Sequence, residues 1–440
     1  MHWACRCRVV FSQCTKSMHA SSSQPAQLCV AAAAGDLLAV LRLLAAGAPP
    51  NEAAAPPTPP SAAAAAEDLH EAGDCASALH LAVQGRRDVR VVKALLDAGA
   101  APSAGEARWG SALHVAAGAP FSVAAEERRA VAVAEELLAR GCAIDDASAE
   151  GGNTPLHVAA AAGHCRMVAL LLSRGADAAA ENGSGQTALH VAARFGRADA
   201  CAQLLDAGLS ADAADRFLSA DGDGRRTPLM HAAHFGCLRT VRLLLRRRCD
   251  LHALSASHWP ALFYAVEASK RVSARGGSAN PHVGVAKLLL AAAATDEACT
   301  DLRGRTALMV AALQDADEAA EMLCTLQPGC VNLRDAGGRT ALHFAALRGA
   351  AATCEVLLKH GAQPEARDKG GQRPGDLFPA FTRPPVQRQW EQPSPLVETD
   401  STAADGGRPR RSAYYYWGGA AMDEIALRYR AAAARTAAAA

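Results

Sequence analysis

Aromatic residues are scarce: phenylalanine, tyrosine and tryptophan make up 4% of the chain. That excludes a large core built on rings. Charge of one sign is lacking as well. Lys and Arg number 45 against 44 Asp and Glu, a net charge of +1, so the chain as a whole has no field to draw it to nucleic acid or an anionic membrane. No long apolar run exists either. The best, LLAVLRLLAAGA at 37–48, is interrupted by Arg42 and falls short of the ~20 residues a spanning helix needs. The 14 cysteines fall at irregular intervals, and no CxxC pair recurs with zinc spacing. Reduced thiols in a cytoplasmic setting, or a nuclear one, are the simplest reading. The start is short of acid: Arg6, Arg8 and Lys16 precede the first acidic residue, Asp36. Residues 1–26 are therefore expected to be a disordered start, or a segment like an organelle transit peptide.

Alanine is what the chain has in quantity. Half the residues are hydrophobic, and much of that half is alanine, which buries little area but is the best helix former. Many short, closely packed helices are expected.

The dominant pattern is internal repetition. GNTPLHVAAAAG at 152–163 recurs as GQTALHVAARFG at 185–196 and GRTALHFAALRG at 338–349. Aligning on the residue two before the motif leucine gives anchors at Ser77, Ser111, Thr154, Thr187, Thr227, Pro260, Thr306 and Thr340. Their separations are 34, 43, 33, 40, 33, 46 and 34. The long intervals each hold one loop insertion, which repeat arrays tolerate. A glycine often closes the first helix, as at Gly163, Gly196, Gly236 and Gly349. A second helix then ends in leucines and a glycine stop, as in VALLLSRGAD at 168–177.

On these residues the chain resembles the ankyrin-repeat family. The threonine, leucine, histidine and alanine core, the closing glycine and the following leucine pair recur at a fixed period. The expected fold is an all-α solenoid of stacked helix-turn-helix units with short β-turn or hairpin connections. It would run over 27–378, with about eight clear repeats. A degenerate first unit lies at 27–48 and an aborted last one at 371–378; terminal units of such arrays are often atypical. A Pro/Ala spacer falls at 49–74. Insertions fall near 118–138, expected as a lengthened helix pair, and near 215–226 and 267–284. The tail, 379–440, is proline-rich, with the aromatic run Tyr414, Tyr415, Tyr416 and Trp417 and an expected helix at 421–440.

One helix pair cannot bury its own apolar face, so neighbours must stack. The leucine pairs Leu171/Leu172, Leu204/Leu205 and Leu244/Leu245 are expected in the core. The alanine pairs at 159/160, 192/193, 232/233 and 345/346 should let the first helices approach closely. His80, His114, His157, His190 and His343 share one place in five units. The resemblance implies that each ring bonds the threonine and backbone of its own motif. A metal ladder is the competing idea, but Met230, Phe263 and Met309 interrupt it.

Function in a solenoid lies on the exposed surface. By the resemblance, the residues after the paired alanines line a concave groove, and the residue before the threonine sits near the turn tip. The predicted contacts with a partner are Arg194, Phe195, Arg226, His234, Phe235, Arg305, Arg339 and Arg348; aromatic and arginine side chains dominate interface hot spots. The segment 225–248 carries seven arginines and no acid, an alternative site for nucleic acid or anionic lipid or a solvated helix end. No nucleotide loop, nucleophile elbow or kinase signature occurs. Cys165 beside His164 has no third orienting group. The sequence thus reads as a monomeric, non-catalytic scaffold that binds another protein, without cofactor, metal, small-molecule substrate or membrane span. A further alternative is a regulatory subunit whose tail recruits an enzyme.

Overall fold

The computed structural model describes residues 23–52, 77–85, 87–102, 110–118, 124–147, 150–216, 224–269, 280–293 and 299–377. Most of the N-terminal segment and of the spacer, the centres of the insertions at 215–226 and 267–284, and the whole tail with its aromatic run lie outside them. Eighteen α-helices in nine pairs are found among the described residues, and no strand. The chain divides into two compact units between Thr295 and Asp296.

The first unit holds seven pairs: α1 (Gln24–Ala34) and α2 (Leu37–Ala45), α3 (Ala78–Gln84) and α4 (Val89–Asp97), α5 (Ala112–Gly118) and α6 (Ala124–Ala139), α7 (Pro155–Ala162) and α8 (Cys165–Ser173), α9 (Ala188–Arg194) and α10 (Ala198–Asp206), α11 (Pro228–His234) and α12 (Leu238–Arg246), and α13 (Ala261–Ala268) and α14 (Pro281–Ala293). Each first helix packs on the next first helix, and each second helix on the next second helix. The second unit repeats this with α15 (Ala307–Gln314), α16 (Asp317–Leu326), α17 (Ala341–Arg348) and α18 (Ala351–Lys359), then a short 3₁₀ turn at Pro374–Leu377 against α17. The degenerate first unit is thus a complete helix pair, and the boundary drawn at 26 falls inside α1. The insertion after Gly118 appears as α6, which has 16 residues where α8 has nine.

The first helices are short and capped hard. At Thr154, Thr187 and Thr340 the hydroxyl and the backbone N–H both meet the histidine three residues on. A proline at the first helical position of α7 and α11 presets the backbone. The alanine pairs are wholly buried, as expected. The leucine pairs are not. Leu171, Leu204 and Leu244 are wholly buried, whereas Leu172, Leu205 and Leu245 are half-buried. Consecutive helical residues point about 100° apart, so the second leucine of each of these pairs is turned to the edge of the buried face.

The histidines do more than brace their own motif. Nδ1 of His157 accepts from the Thr154 N–H at 3.3 Å and meets its hydroxyl at 2.9 Å. Nε2–H donates at 2.8 Å to the Gln186 carbonyl in the next turn. His80 reaches Gly110, His114 reaches Asn153, His190 reaches Ala213 and His343 reaches Gln372 in the same way, at 2.8–3.2 Å. Each neutral ring therefore ties one repeat to the next. All five have their pKa lowered, first by burial, and His190 is brought to about 4. Among the described residues no group of three or more His, Cys, Asp or Glu is placed to hold a metal ion.

The turns are closed by acids and amides. The side-chain oxygens of Asn182, Asp301, Asp335 and Asp368 each accept from the N–H four residues on, at 2.7–3.0 Å. Backbone bonds then link successive tips, such as Gly183 N–H to Gly151 O at 2.8 Å and Ala336 N–H to Arg303 O at 2.9 Å. Asp215 and Arg226, at the two ends of the 215–226 insertion in the sequence, close the same kind of turn: the Asp215 N–H donates to the Arg226 carbonyl and the Arg226 N–H to the Asp215 side chain.

Candidate functional site: an aromatic and arginine cluster

Beyond the degenerate first pair, two rungs of the first unit abandon the histidine. At Met230, the thioether takes the ring's place against the Thr227 N–H at 3.4 Å. The neighbouring His231 turns instead to Asp215, at 2.8 Å, with both side chains buried. Burial pushes the Asp215 carboxyl up, but the hydrogen bonds from His231 and the Arg226 N–H outweigh it, and its pKa is lowered overall. At the next rung Phe263 fills the histidine position. Trp259 packs beside it, tilted, with its ring centroid 5.7 Å from that of Phe263 and 5.5 Å from that of Tyr264. Packing of rings replaces a hydrogen-bonded brace here.

The predicted contact residues of the first unit assemble where the His190 rung meets these two: Arg194 and Phe195 end α9, and His234 and Phe235 end α11. Because α9 packs on α11, the ends of these helices lie together. Phe195 is 39% exposed and Phe235 44%, so neither ring folds back out of contact with solvent. The Arg194 guanidinium carbon is 5.7 Å from the Phe195 ring and 5.2 Å from the Phe235 ring, within cation–π range of both. His234 stands edge-on to Phe235 at 5.0 Å and to Tyr264 at 6.2 Å. Its Nδ1 is 4.0 Å from a Glu267 carboxylate oxygen. Arg226 lies over Tyr264 at 4.9 Å. Tyr264 is itself 1% exposed, so it is a buried floor beneath His234 and Arg226.

The other three predicted contacts, Arg305, Arg339 and Arg348, belong to the second unit and are engaged in holding it. Arg305 closes its own turn on Asp301, at 2.6 and 2.7 Å. Arg339 reaches Asp368 at 3.5 Å. Arg348 donates to the Leu313 carbonyl at 2.9 Å, at the end of α15. Sequence reasoning missed Trp259, Tyr264 and Glu267. The signal was present in WPALFYAVE at 259–267, a clot of rings in a chain poor in them.

Cys165 is placed against chemistry. Burial raises its pKa, the wrong direction for a nucleophile. Cys201, Cys249, Cys324 and Cys354 are pushed up to about 12 by burial. No helix among the described residues is long and apolar enough to cross a membrane.

Two family models match this chain. Ankyrin repeats in three copies match 121–215 and 273–368, and a single ankyrin repeat matches 74–105 and 225–256. Together these cover more than half of the sequence and coincide with the helix pairs. The chain belongs to the ankyrin-repeat family. Ankyrin repeats are generally modules of protein–protein interaction. Among similar proteins is the nuclear factor NF-kappa-B p105 subunit of Mus musculus. It is 36% identical over 114 residues, which is 26% of this chain and 11% of that protein. The chain thus corresponds to a small part of that relative's length.

Proposed function

We propose that this ankyrin-repeat chain is a non-catalytic scaffold that holds a partner protein on the cluster of Arg194, Phe195, His234 and Phe235. The single observation behind this reading is the pair of half-exposed phenylalanines bridged by one arginine. In a chain this poor in rings, two neighbouring helix ends present both. Exposed aromatics around an arginine are the composition of an interface hot spot, and the buried floor beneath His234 helps keep the ordering cost of binding low. Arg226 and Glu267 frame the patch with one charge of each sign.

The test is affinity capture from the native source, compared between the parent and a Phe195→Ala, Phe235→Ala variant. Both side chains are partly exposed, so the variant should keep a melting temperature close to the parent. Recovery of the specific partner should fall about tenfold or more, as expected for two hot-spot aromatics. Equal recovery by a folded variant removes the cluster from consideration.

A further inference from the structure

The second helices carry a distinct surface, and several of its cations are paired. Arg140 bridges Asp97 and Glu136 at 2.6 and 3.2 Å. Lys93 reaches Glu136 at 3.4 Å, Arg166 reaches Glu127 at 3.7 Å and Arg174 reaches Glu135 at 3.7 Å. In the second unit Lys359 meets Glu321 at 2.9 Å. These cations are met by carboxylates, mostly from the adjacent second helix.

Helix α12 gathers three arginines without such a partner on one face. Its buried residues are Thr240, Val241 and Leu244. Arg239, Arg242 and Arg246 lie on the opposite side and are exposed, at the three- and four-residue spacing that lines up one helix face. None of the three meets a carboxylate or a hydrogen-bond acceptor among the described residues. On one side α10 offers Asp199 and Asp206, and Asp206 is taken by Arg247 at 2.7 Å. On the other side α14 has no acid at all and exposes Lys287. Three guanidinium forks are thus left uncompensated along about 10 Å of helix.

We propose that the Arg239–Arg242–Arg246 face of α12 docks a short acidic segment of a partner protein, with one carboxylate to each fork. Guanidinium groups match carboxylates in paired hydrogen bonds. The size and surroundings of the face favour a protein segment over a polyanion. About two turns of a partner helix span it, whereas a nucleic acid or a membrane would run on into Asp199, Asp212 and Asp250, which are exposed around it. This face is formed by α12 alone and does not depend on the phenylalanine cluster.

The probe is a fluorescein-labelled alanine-based helical peptide with glutamates at the matching spacing, titrated onto the full chain. A glutamine version, a single-stranded RNA of equal charge and phosphatidylserine vesicles run alongside it. The glutamate peptide should bind and the glutamine peptide should not. Charge reversal at the three arginines (R239E, R242E, R246E) should weaken binding about tenfold or more, and R239Q/R242Q/R246Q less. Circular dichroism should show both variants folded, and Phe195→Ala/Phe235→Ala should leave this binding unchanged. Equal binding of the glutamine peptide, or no loss on charge reversal, overturns the proposal. Tighter binding of the RNA or the vesicles than of the peptide also overturns it and gives the face to phosphate groups.

Discussion

The rungs at His157 and His190 and the rungs at Met230 and Phe263 solve one problem in two ways. The first pair obey the repeat. Each neutral imidazole caps its own helix and reaches the carbonyl of the next turn. The second pair break it. A thioether and a phenyl ring fill the slot, His231 turns to Asp215, and Trp259, Phe263 and Tyr264 pack where a hydrogen bond would have been. The exposed phenylalanines and their arginine straddle the two pairs: Arg194 and Phe195 end the helix of His190, and Phe235 ends the helix of Met230. Sequences that satisfy local rules elsewhere commonly break them at functional sites, and the candidate site of this chain spans the boundary where the break begins.

Acid is the largest lever on that difference. The unfolded chain takes up protons on histidine below 6.5. The buried rings resist protonation until lower pH, and His190 holds out until about 4. Stability from these braces is therefore complete above 6.5 and is lost as pH falls through that window. His190 alone accounts for on the order of 3 kcal/mol. Asp215, whose pKa is lowered, keeps its contribution throughout. Urea unfolding at pH 7 and pH 4.5, with hydrogen-exchange protection, should show α7 and α9 loosening before α13. Uniform loosening would erase the distinction.

Tyr264→Ala acts on the other side of the comparison. Removing a wholly buried ring costs about 3–5 kcal/mol, and the loss should disturb Phe235 and Arg226 as well as lower the unfolding midpoint. His157→Ala should cost less, about 1–3 kcal/mol, because it leaves the Gln186 carbonyl and the Thr154 N–H without their partner. Partner recovery by a folded His157→Ala protein should match the parent; lost recovery with unchanged stability would contradict a bracing role. The smallest effect is expected at the end of α12. There Arg248 adopts φ +59°, where the equivalent position after α8 is Gly175 at φ +87°. Arg248→Gly relieves a left-handed backbone but loosens the unfolded chain, for a net gain of about 0.5 kcal/mol in chemical denaturation.

Much of the fold was legible because it is periodic. Thr154, His157, the alanine pair and the closing Gly163 sit within ten residues of one another, and the same spacing recurs at Thr187 and Thr340. The eight predicted contacts divided on engagement. Arg194, Phe195, Arg226, His234 and Phe235 came together. Arg305 turned out to close its own turn, and Arg348 to tie α17 to α15. An arginine before a threonine looks the same in sequence whether it faces a partner or an aspartate four residues back.

The sequence by itself determined the repeat, the caps and the buried alanines, because each depends on residues within one turn or one helix pair. The tertiary structure alone decided which leucine of a pair is buried, which arginines are neutralised, and that Tyr264 underlies His234 and Arg226. Those outcomes depend on residues one repeat apart being brought to within a few ångströms by stacking, and the spacing along the chain does not encode the direction a side chain takes across that interface.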